Sequence, residues 1–105
     1  MFARSVTLRL KTNATAEFTK TFENEVLPIL QRQKGFRDEL LLVSANGSQV
    51  IGISLWDQKQ DAENYQRTGF IEVQKHLTKV IEGTPQVENY EVGHSTLHRM
   101  ASRGA

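Results

Sequence analysis

The chain has 105 residues, a length that fits one domain but lies near the size at which burial barely offsets chain entropy. Its 13 lysines and arginines nearly balance its 12 aspartates and glutamates, so charge favours neither nucleic acid nor a membrane surface as a partner. The absence of cysteine excludes disulfides, thiolate metal sites and thiol nucleophiles, and is typical of a reducing compartment.

The N-terminal segment MFARSVTLRLKTN alternates polar and apolar residues where a signal peptide needs a continuous apolar block. No segment approaches the ~20 apolar residues of a membrane helix. We therefore expect a cytoplasmic protein. Because no repeat, linker or low-complexity tract interrupts the sequence, we place residues 1–105 in a single domain, with a core at residues 4–93 and a loose tail at residues 101–105.

The first predicted strand covers Arg4–Lys11, where Val6, Leu8 and Leu10 alternate with polar residues. This period of two is typical of a strand with one buried face.

The first predicted helix follows Asn13, which we take as its N-cap. Its apolar residues recur at spacings of three and four and mark one buried face: Phe18, Phe22, Val26, Ile29 and Leu30. Pro28 removes a backbone donor inside this pattern, which predicts a kink or break near residues 24–27. Gly35 then ends the helix.

The next two strands form a predicted hairpin. They cover Phe36–Ala45 and Ser48–Trp56. Between them, Asn46 and Gly47 supply the two positive-φ residues of a type I′ turn, so these strands pair antiparallel.

Asp57, with Gln60 three residues later, predicts a variant capping box for a short helix that ends near residues 68–69. Another helix follows, closed by a left-handed cap at Gly83, and the last strand runs from Val87 to about Leu97. The apolar face of that helix contains Phe70, Val73, Leu77, Val80 and Ile81. The order β-α-β-β-α-β predicts an α+β, ferredoxin-like fold, an antiparallel sheet with its helices on one face.

Strands two and three are apolar on both faces. Leu40 and Leu42 oppose Leu41 and Val43, and Ile51, Ile53 and Leu55 oppose Val50 and Trp56. Whichever face meets the helices, about four large side chains remain, and leaving them in water forfeits roughly 6–12 kcal/mol. Because the chain has no spare segment to cover them, we predict a homodimer packed sheet against sheet. The alternative is a monomer whose termini fold over the sheet.

Three segments, spread over residues 4–93, carry a family resemblance. They are the Pro-containing first helix ending in Gly35-Phe36, the Leu55-Trp56-Asp57 junction followed by Ala62, and the closing segment VENYEV. They resemble the antibiotic biosynthesis monooxygenase-like superfamily of dimeric α/β barrels. This superfamily includes cofactor-free oxygenases, haem-degrading enzymes, isomerases and members with no known activity, so the fold does not settle the function.

The oxygenase members hold an aromatic substrate between sheet and helices and let its deprotonated form react with O2. Trp56 matches the tryptophan used there, whereas Gly52 and Ala62 stand where those members have an asparagine and a tyrosine. The haem-degrading members use a tryptophan at the position of Tyr65, a histidine near Gln74 and an asparagine in the first strand. None of these matches, so the resemblance favours the oxygenases.

The candidate catalytic residues are Trp56, Tyr65 and His94, and the candidate substrate-binding residues are Gly52, Ala62 and Tyr90. Trp56 either donates its indole N–H to a ligand or is a core anchor. Tyr65 either faces the pocket or packs with its hydroxyl exposed. His94 shares strand parity with Tyr90 and either borders the pocket as a proton acceptor or lies at a solvated strand end.

His94 and His98 are about 13 Å apart if both lie on a strand, too far to share a metal ion. A helical tail would bring them together, but no glutamate follows the first histidine and no third ligand is evident. Without a ligand set or a phosphate-cradling glycine loop, we expect no metal, haem or flavin.

These observations favour cofactor-independent oxidation or isomerisation of a small aromatic or quinone-like metabolite. The alternative is a non-catalytic, dimeric small-molecule-binding or stress-response protein of the same fold.

Overall fold

The computed structural model describes residues 1–96. Within them the elements are β1 (Phe2–Leu10), α1 (Thr15–Thr21), a π-helical segment (Phe22–Val26), α2 (Leu27–Gln31), β2 (Phe36–Val43), β3 (Gln49–Trp56), α3 (Lys59–Arg67), α4 (Gly69–Leu77) and β4 (Ile81–Glu91). Leu97, His98 and the predicted loose tail at residues 101–105 lie outside the described residues.

The four strands form one sheet in the order β2-β3-β1-β4, with every neighbouring pair antiparallel. The central strands are in register, so that Val6 lies between Gly52 and Val87. The helices pack on the face that carries Val6, Val50 and Trp56, all of which are buried. This arrangement confirms the predicted ferredoxin-like α+β fold.

Pro28 interrupts the first helix where the sequence predicts. The π-helical segment Phe22–Val26 separates α1 from α2, and Pro28 lies in the first turn of α2. Because proline has no N–H, it cannot donate to the carbonyl of Asn24, and a π-helical turn accommodates the lost α-helical bond.

Two predicted helix caps are wrong. The N-cap of α1 is Ala14, and Asn13 instead adopts a left-handed conformation with φ of 58° just before it. The N-cap of α3 is Gln58, so the capping box at Asp57 is absent. Asp57 instead accepts a hydrogen bond and ion pair from the Nε of Arg37, at the start of β2.

The β2–β3 connection is longer than the predicted type I′ turn. Gly47 has a φ of 72°, but Asn46 does not adopt positive φ. The loop closes through a bond from the Ser44 N–H to the Gln49 carbonyl at 2.9 Å. The Asn46 Oδ1 accepts a hydrogen bond from the Ser48 N–H at 3.0 Å, a local turn that competes with the two-residue geometry.

The prediction that a helix extends to Ile81 and ends at Gly83 is also wrong. Helix α4 ends at Leu77, and Ile81 is the first residue of β4. Gly83 has a φ of 74° inside this strand. The β1–β4 register shifts between Thr7 and Arg9, opposite this part of β4, so the positive φ belongs to a strand irregularity.

Among the described residues, none of the helices is both long enough and apolar enough to span a membrane.

Candidate functional site

A cavity of about 50 Å³ lies between the covered face of the sheet and the helices. Its walls are mostly apolar and include Phe18, Phe22, Val26, Leu30, Phe70 and Leu77. Four polar side chains also line it: Arg4, Glu39, Ser54 and Tyr65. The volume holds a few water molecules, below the roughly 300–1,000 Å³ of ligand pockets. A ligand therefore requires lining side chains to move.

Arg4 brings a positive charge to this cavity from the centre of the sheet. Its side chain is only 2% exposed, because it shares the inward parity of β1 with Phe2 and Val6. The guanidinium lies 4.3 Å from the centre of the Phe70 ring and 5.0 Å from that of Tyr65. Burial lowers the pKa of Arg4, but arginine starts far above neutrality and remains charged.

The Arg4 side chain is also held from its other side. Its Nη2 donates a hydrogen bond to the Oε1 of Gln66, on α3. Gln66 lines a separate surface groove of about 450 Å³ between α3 and β4, and Arg4 lines that groove as well. The guanidinium therefore stands in the wall between the groove and the cavity.

Glu39 brings a carboxyl group to the cavity from β2. It pairs with Ser54 across the sheet and is partly buried on the covered face. Burial raises the pKa of Glu39 to about 8, with a smaller rise from the charge of Asp38, while the charge of Arg4 opposes both. This carboxyl group titrates close to neutral pH, in the range where acid–base catalysis is most effective.

Gly52 makes room for this carboxyl group. A Cβ atom built on Gly52 would lie 2.9 Å from the Oε2 of Glu39. The family resemblance places an asparagine at this position of the oxygenases. In this chain the Glu39 carboxylate, reaching across from the neighbouring strand, takes the space that a side chain at position 52 would fill.

Trp56 is not among the side chains that line the cavity. It is fully buried, and its Nε1 donates a hydrogen bond to the Ser54 Oγ at 2.8 Å. Its ring packs edge-on against Phe36 and lies 5.2 Å from the ring of Tyr65. The indole N–H therefore already has a hydrogen-bond acceptor within the protein, and the Trp56 ring packs against Tyr65, which lines the cavity.

Tyr65 lines the cavity from α3 and is 3% exposed. Burial raises its pKa above the ordinary tyrosine value, an effect that the charge of Arg4 partly offsets and that of Glu39 reinforces. The phenol therefore remains neutral at physiological pH. Among the sequence-predicted site residues, Tyr65 and Gly52 are brought together in the cavity wall.

Three other predicted site residues lie elsewhere. Ala62 is buried on α3 and borders the surface groove. Tyr90 lies on the opposite face of the sheet, 52% exposed, and its hydroxyl donates to Glu88 at 2.7 Å. His94 follows the end of β4 and is exposed. The roles predicted for these residues stay predictions.

Arg4 and Glu39 were not among the residues predicted from the sequence to form the site. Each carries a signal: Arg4 has the strand parity of Phe2, Val6 and Leu8, and Glu39 has that of Leu41. A charged residue on the apolar parity of a strand marks either an edge or a buried polar site. Within residues 1–96, no group of three or more histidine, aspartate or glutamate side chains is arranged to hold a metal ion.

No protein-family model and no curated protein matches the sequence. Solved structures do resemble it. SnoaB, a cofactor-independent oxygenase from Streptomyces nogalater, is 17% identical, with a TM-score of 0.75 over 92% of this chain and 97% of that one. A monooxygenase from the gene ActVA-Orf6 of Streptomyces coelicolor, in complex with the ligand Nanaomycin D, is 19% identical, with a TM-score of 0.72 over 92% and 91%.

A third similar structure is NE2512, a protein of unknown function from Nitrosomonas europaea. It is 14% identical, with a TM-score of 0.77 over 92% of this chain and 93% of that one. At identities below 20% these likenesses concern the fold, and they confirm the predicted resemblance at that level. The chain has the fold of the antibiotic biosynthesis monooxygenase-like superfamily.

Proposed function

We propose that this chain is a cytoplasmic homodimer that binds a small aromatic or quinone-like metabolite in the cavity and oxidises or isomerises it without a cofactor. One observation supports the proposal: a mostly apolar cavity is lined by a buried cation, Arg4, and by the carboxyl group of Glu39. Apolar walls with a few convergent polar groups are typical of small-molecule sites.

The reaction needs little from the protein beyond this environment. A phenol or anthrone that loses a proton becomes an electron-rich anion, and O2 is its oxidant. For an anthrone, the methylene carbon gains one oxygen atom as a carbonyl, and the second oxygen atom leaves as water with the two hydrogens. Apolar walls exclude solvent from the anion, and a fixed cation stabilises its oxygen.

The open face of the sheet supports the dimer. Leu40 and Leu42 are 48% and 44% exposed there, beside the partly buried Ile51, Ile53 and Leu55. A contiguous apolar surface of this kind marks an interface, and a two-fold axis lets the same face of a second copy cover it. Sedimentation equilibrium at micromolar concentration is expected to give twice the chain mass of 11.9 kDa, and a monomer mass overturns the dimer.

Ligand binding is tested with a panel of quinols and anthrones, by quenching of the Trp56 fluorescence. Trp56 reports on the cavity because its ring contacts Tyr65, which lines it. Leu41→Phe adds an aromatic ring in the cavity wall and is expected to weaken binding at least tenfold. Ile71→Phe makes a comparable change at an exposed position of α4 and is expected to leave binding unchanged.

Oxygen uptake on each bound compound then tests the chemistry. Uptake that Leu41→Phe abolishes and Ile71→Phe preserves supports an oxygenase in this cavity. The proposal fails if no member of the panel binds, or if every binder is returned unchanged.

Non-catalytic binding is the second candidate. It is favoured by the hydrogen bond from Trp56 to Ser54, which occupies the indole N–H, and by the small side chains at Gly52 and Ala62. These positions supply none of the donors that the resemblance places there in the oxygenases. Saturable binding without oxygen uptake or isomerisation distinguishes this candidate from the first.

A further inference from the structure

We propose that Glu39 and Arg4 form a proton-transfer pair in the cavity: Glu39 takes the proton of an acidic ligand hydroxyl, and Arg4 stabilises the resulting oxyanion. The ligand class is therefore a phenol, hydroquinone or enol. The inference rests on the proposed function only in that such a ligand occupies this cavity.

The position of Glu39 is the first support. Its carboxylate lies over Gly52. A Cβ atom at position 52 would lie only 2.9 Å from the Glu39 Oε2, so a larger residue there would need this flexible carboxylate to shift. The side chain therefore extends from β2 towards the middle of the sheet, where it lines the cavity with Ser54. A glutamate on the inward parity of a strand costs stability, and the positive charge of Arg4, two strands away, reduces that cost.

The position of Arg4 is the second support. The guanidinium is fixed by the faces of Tyr65 and Phe70 and by the side-chain Oε1 of Gln66, which accepts its hydrogen bond. Because Gln66 lies on the groove side of Arg4, this bond orients the cation without filling the cavity. A charge held in advance stabilises an oxyanion without the reorganisation that water requires.

The surroundings of Glu39 restrict which groups affect its titration. Arg4 faces it from β1, Tyr65 from α3, and Asp38 precedes it on β2. Within residues 1–96, the segments from α1 to α2 and helix α4 bring only apolar side chains to the cavity. The carboxyl group is therefore balanced between burial, which raises its pKa to about 8, and the nearby cation, which lowers it.

Proton transfer in this arrangement conserves charge. The ligand O–H bond breaks, a new O–H bond forms on the Glu39 carboxylate, and the negative charge moves from the carboxylate to the ligand oxygen. Arg4 stays positive throughout, so the pair of Arg4 and one anion is neutral before and after the step. Neither dioxygen nor any other co-reactant is needed for it.

The test uses 4-nitrophenol, whose phenolate is yellow and whose own pKa lies near neutrality, so that binding and ionisation are both read by absorbance. The probe is expected to bind the wild-type protein as the phenolate, together with a protonated Glu39. Above pH 8 Glu39 must first take up a proton, so affinity is expected to fall about tenfold per pH unit. Below the pKa of the probe, 4-nitrophenol must lose a proton to bind as the phenolate, so affinity falls there as well. The plot of wild-type affinity against pH is therefore bell-shaped.

Glu39→Gln keeps the shape of the side chain and removes its titration. In this variant the affinity is expected to stay level above pH 8, because the phenolate binds Arg4 without proton uptake. Glu82→Gln removes the same charge from an exposed position on β4 and is expected to keep the bell. If Glu39→Gln does not fold, Gly52→Ala displaces the same carboxylate and is expected to move the upper limb of the profile.

Three outcomes overturn the inference: no binding of 4-nitrophenol, binding as the neutral phenol, or the same upper limb in the wild type and Glu39→Gln. The outcome is separable from that of the proposed function. A bell that depends on Glu39, combined with no turnover of any quinol or anthrone, supports the proton-transfer pair and rejects the oxidation. Turnover with a pH profile independent of Glu39 does the reverse.

Discussion

The two faces of the sheet differ in polarity, and charged side chains lie on the buried face while large apolar side chains lie on the open one. The face covered by helices carries the charged side chains of Arg4 and Glu39 in its cavity wall, whereas the open face of β2 and β3 carries Leu40, Leu42 and Ile53. Burying a charge and exposing an apolar patch both cost free energy in an isolated domain. This difference is the reason for proposing that a second copy covers the open face and that the charges on the covered face act on a ligand.

The largest expected effect comes from placing a charge on the open face. Ile53→Glu puts a carboxylate near the centre of the β2–β3 surface. In a two-fold symmetric dimer the interface would then contain two such carboxylates, one from each protomer. At roughly 3–5 kcal/mol for each uncompensated buried charge, dimer affinity is expected to fall by about four decades or more.

Sedimentation equilibrium checks this effect. Ile71→Glu makes the same change on α4, where Ile71 is 51% exposed, and is expected to leave the dimer intact. A dimer that survives Ile53→Glu but not Ile71→Glu means that the interface lies on the helical side.

The next effect concerns the charge on the covered face. The pKa of Glu39 is about 8 in the folded protein, whereas in the unfolded chain it has the ordinary glutamate value of 4.5. The folded state thus binds more protons in this window, so this contribution to the free energy of unfolding is fully present below pH 4.5 and is lost as pH rises to 8.

Thermal unfolding of Glu39→Gln, at a fixed protein concentration, isolates this contribution. Between pH 5 and pH 8.5 the variant is expected to gain about 2–4 kcal/mol relative to the wild type, less than the full pKa shift implies because the carboxyl group is partly exposed. Glu82→Gln serves as the control and is expected to show a constant difference. A constant difference for Glu39→Gln as well contradicts the burial of a titrating carboxyl group.

A smaller effect is expected at the junction of β3 and α3. Trp56→Phe removes the hydrogen bond to Ser54 and part of a fully buried ring, for a loss of about 1–3 kcal/mol in stability. Since Trp56 does not line the cavity, the affinity for 4-nitrophenol, read by absorbance, is expected to be unchanged. A variant that melts normally but loses affinity makes Trp56 a ligand donor.

Much of the fold was predictable from the sequence because its signals are local and periodic. The alternation in β1, the Pro28 interruption and the two apolar faces of β2 and β3 each follow from residue spacing. The caps were not, because Asp57 has two partners to choose from: the backbone of its own helix and Arg37, twenty residues away in the chain. Only the fold decides between them.

The candidate site was predictable in part. Tyr65 and Gly52 lie in the cavity wall as expected, since helix position and strand parity place them. The proximity of Arg4, Glu39 and Gly52 depends on the strand order. In the sheet β3 lies between β1 and β2, so Gly52 lies between the strands that carry Arg4 and Glu39. Spacing within one segment carries no information about such a contact.

Glu39 is expected to keep a titrating carboxyl group near Arg4 in the cavity wall. Carbon-13 NMR titration of the glutamate side-chain carboxyl groups measures it directly, with Glu39→Gln to assign the signal. We expect a glutamate carboxyl signal that titrates near pH 8 and is missing from the variant spectrum. A Glu39 signal that titrates near pH 4.5, the ordinary value for a glutamate side chain, contradicts it.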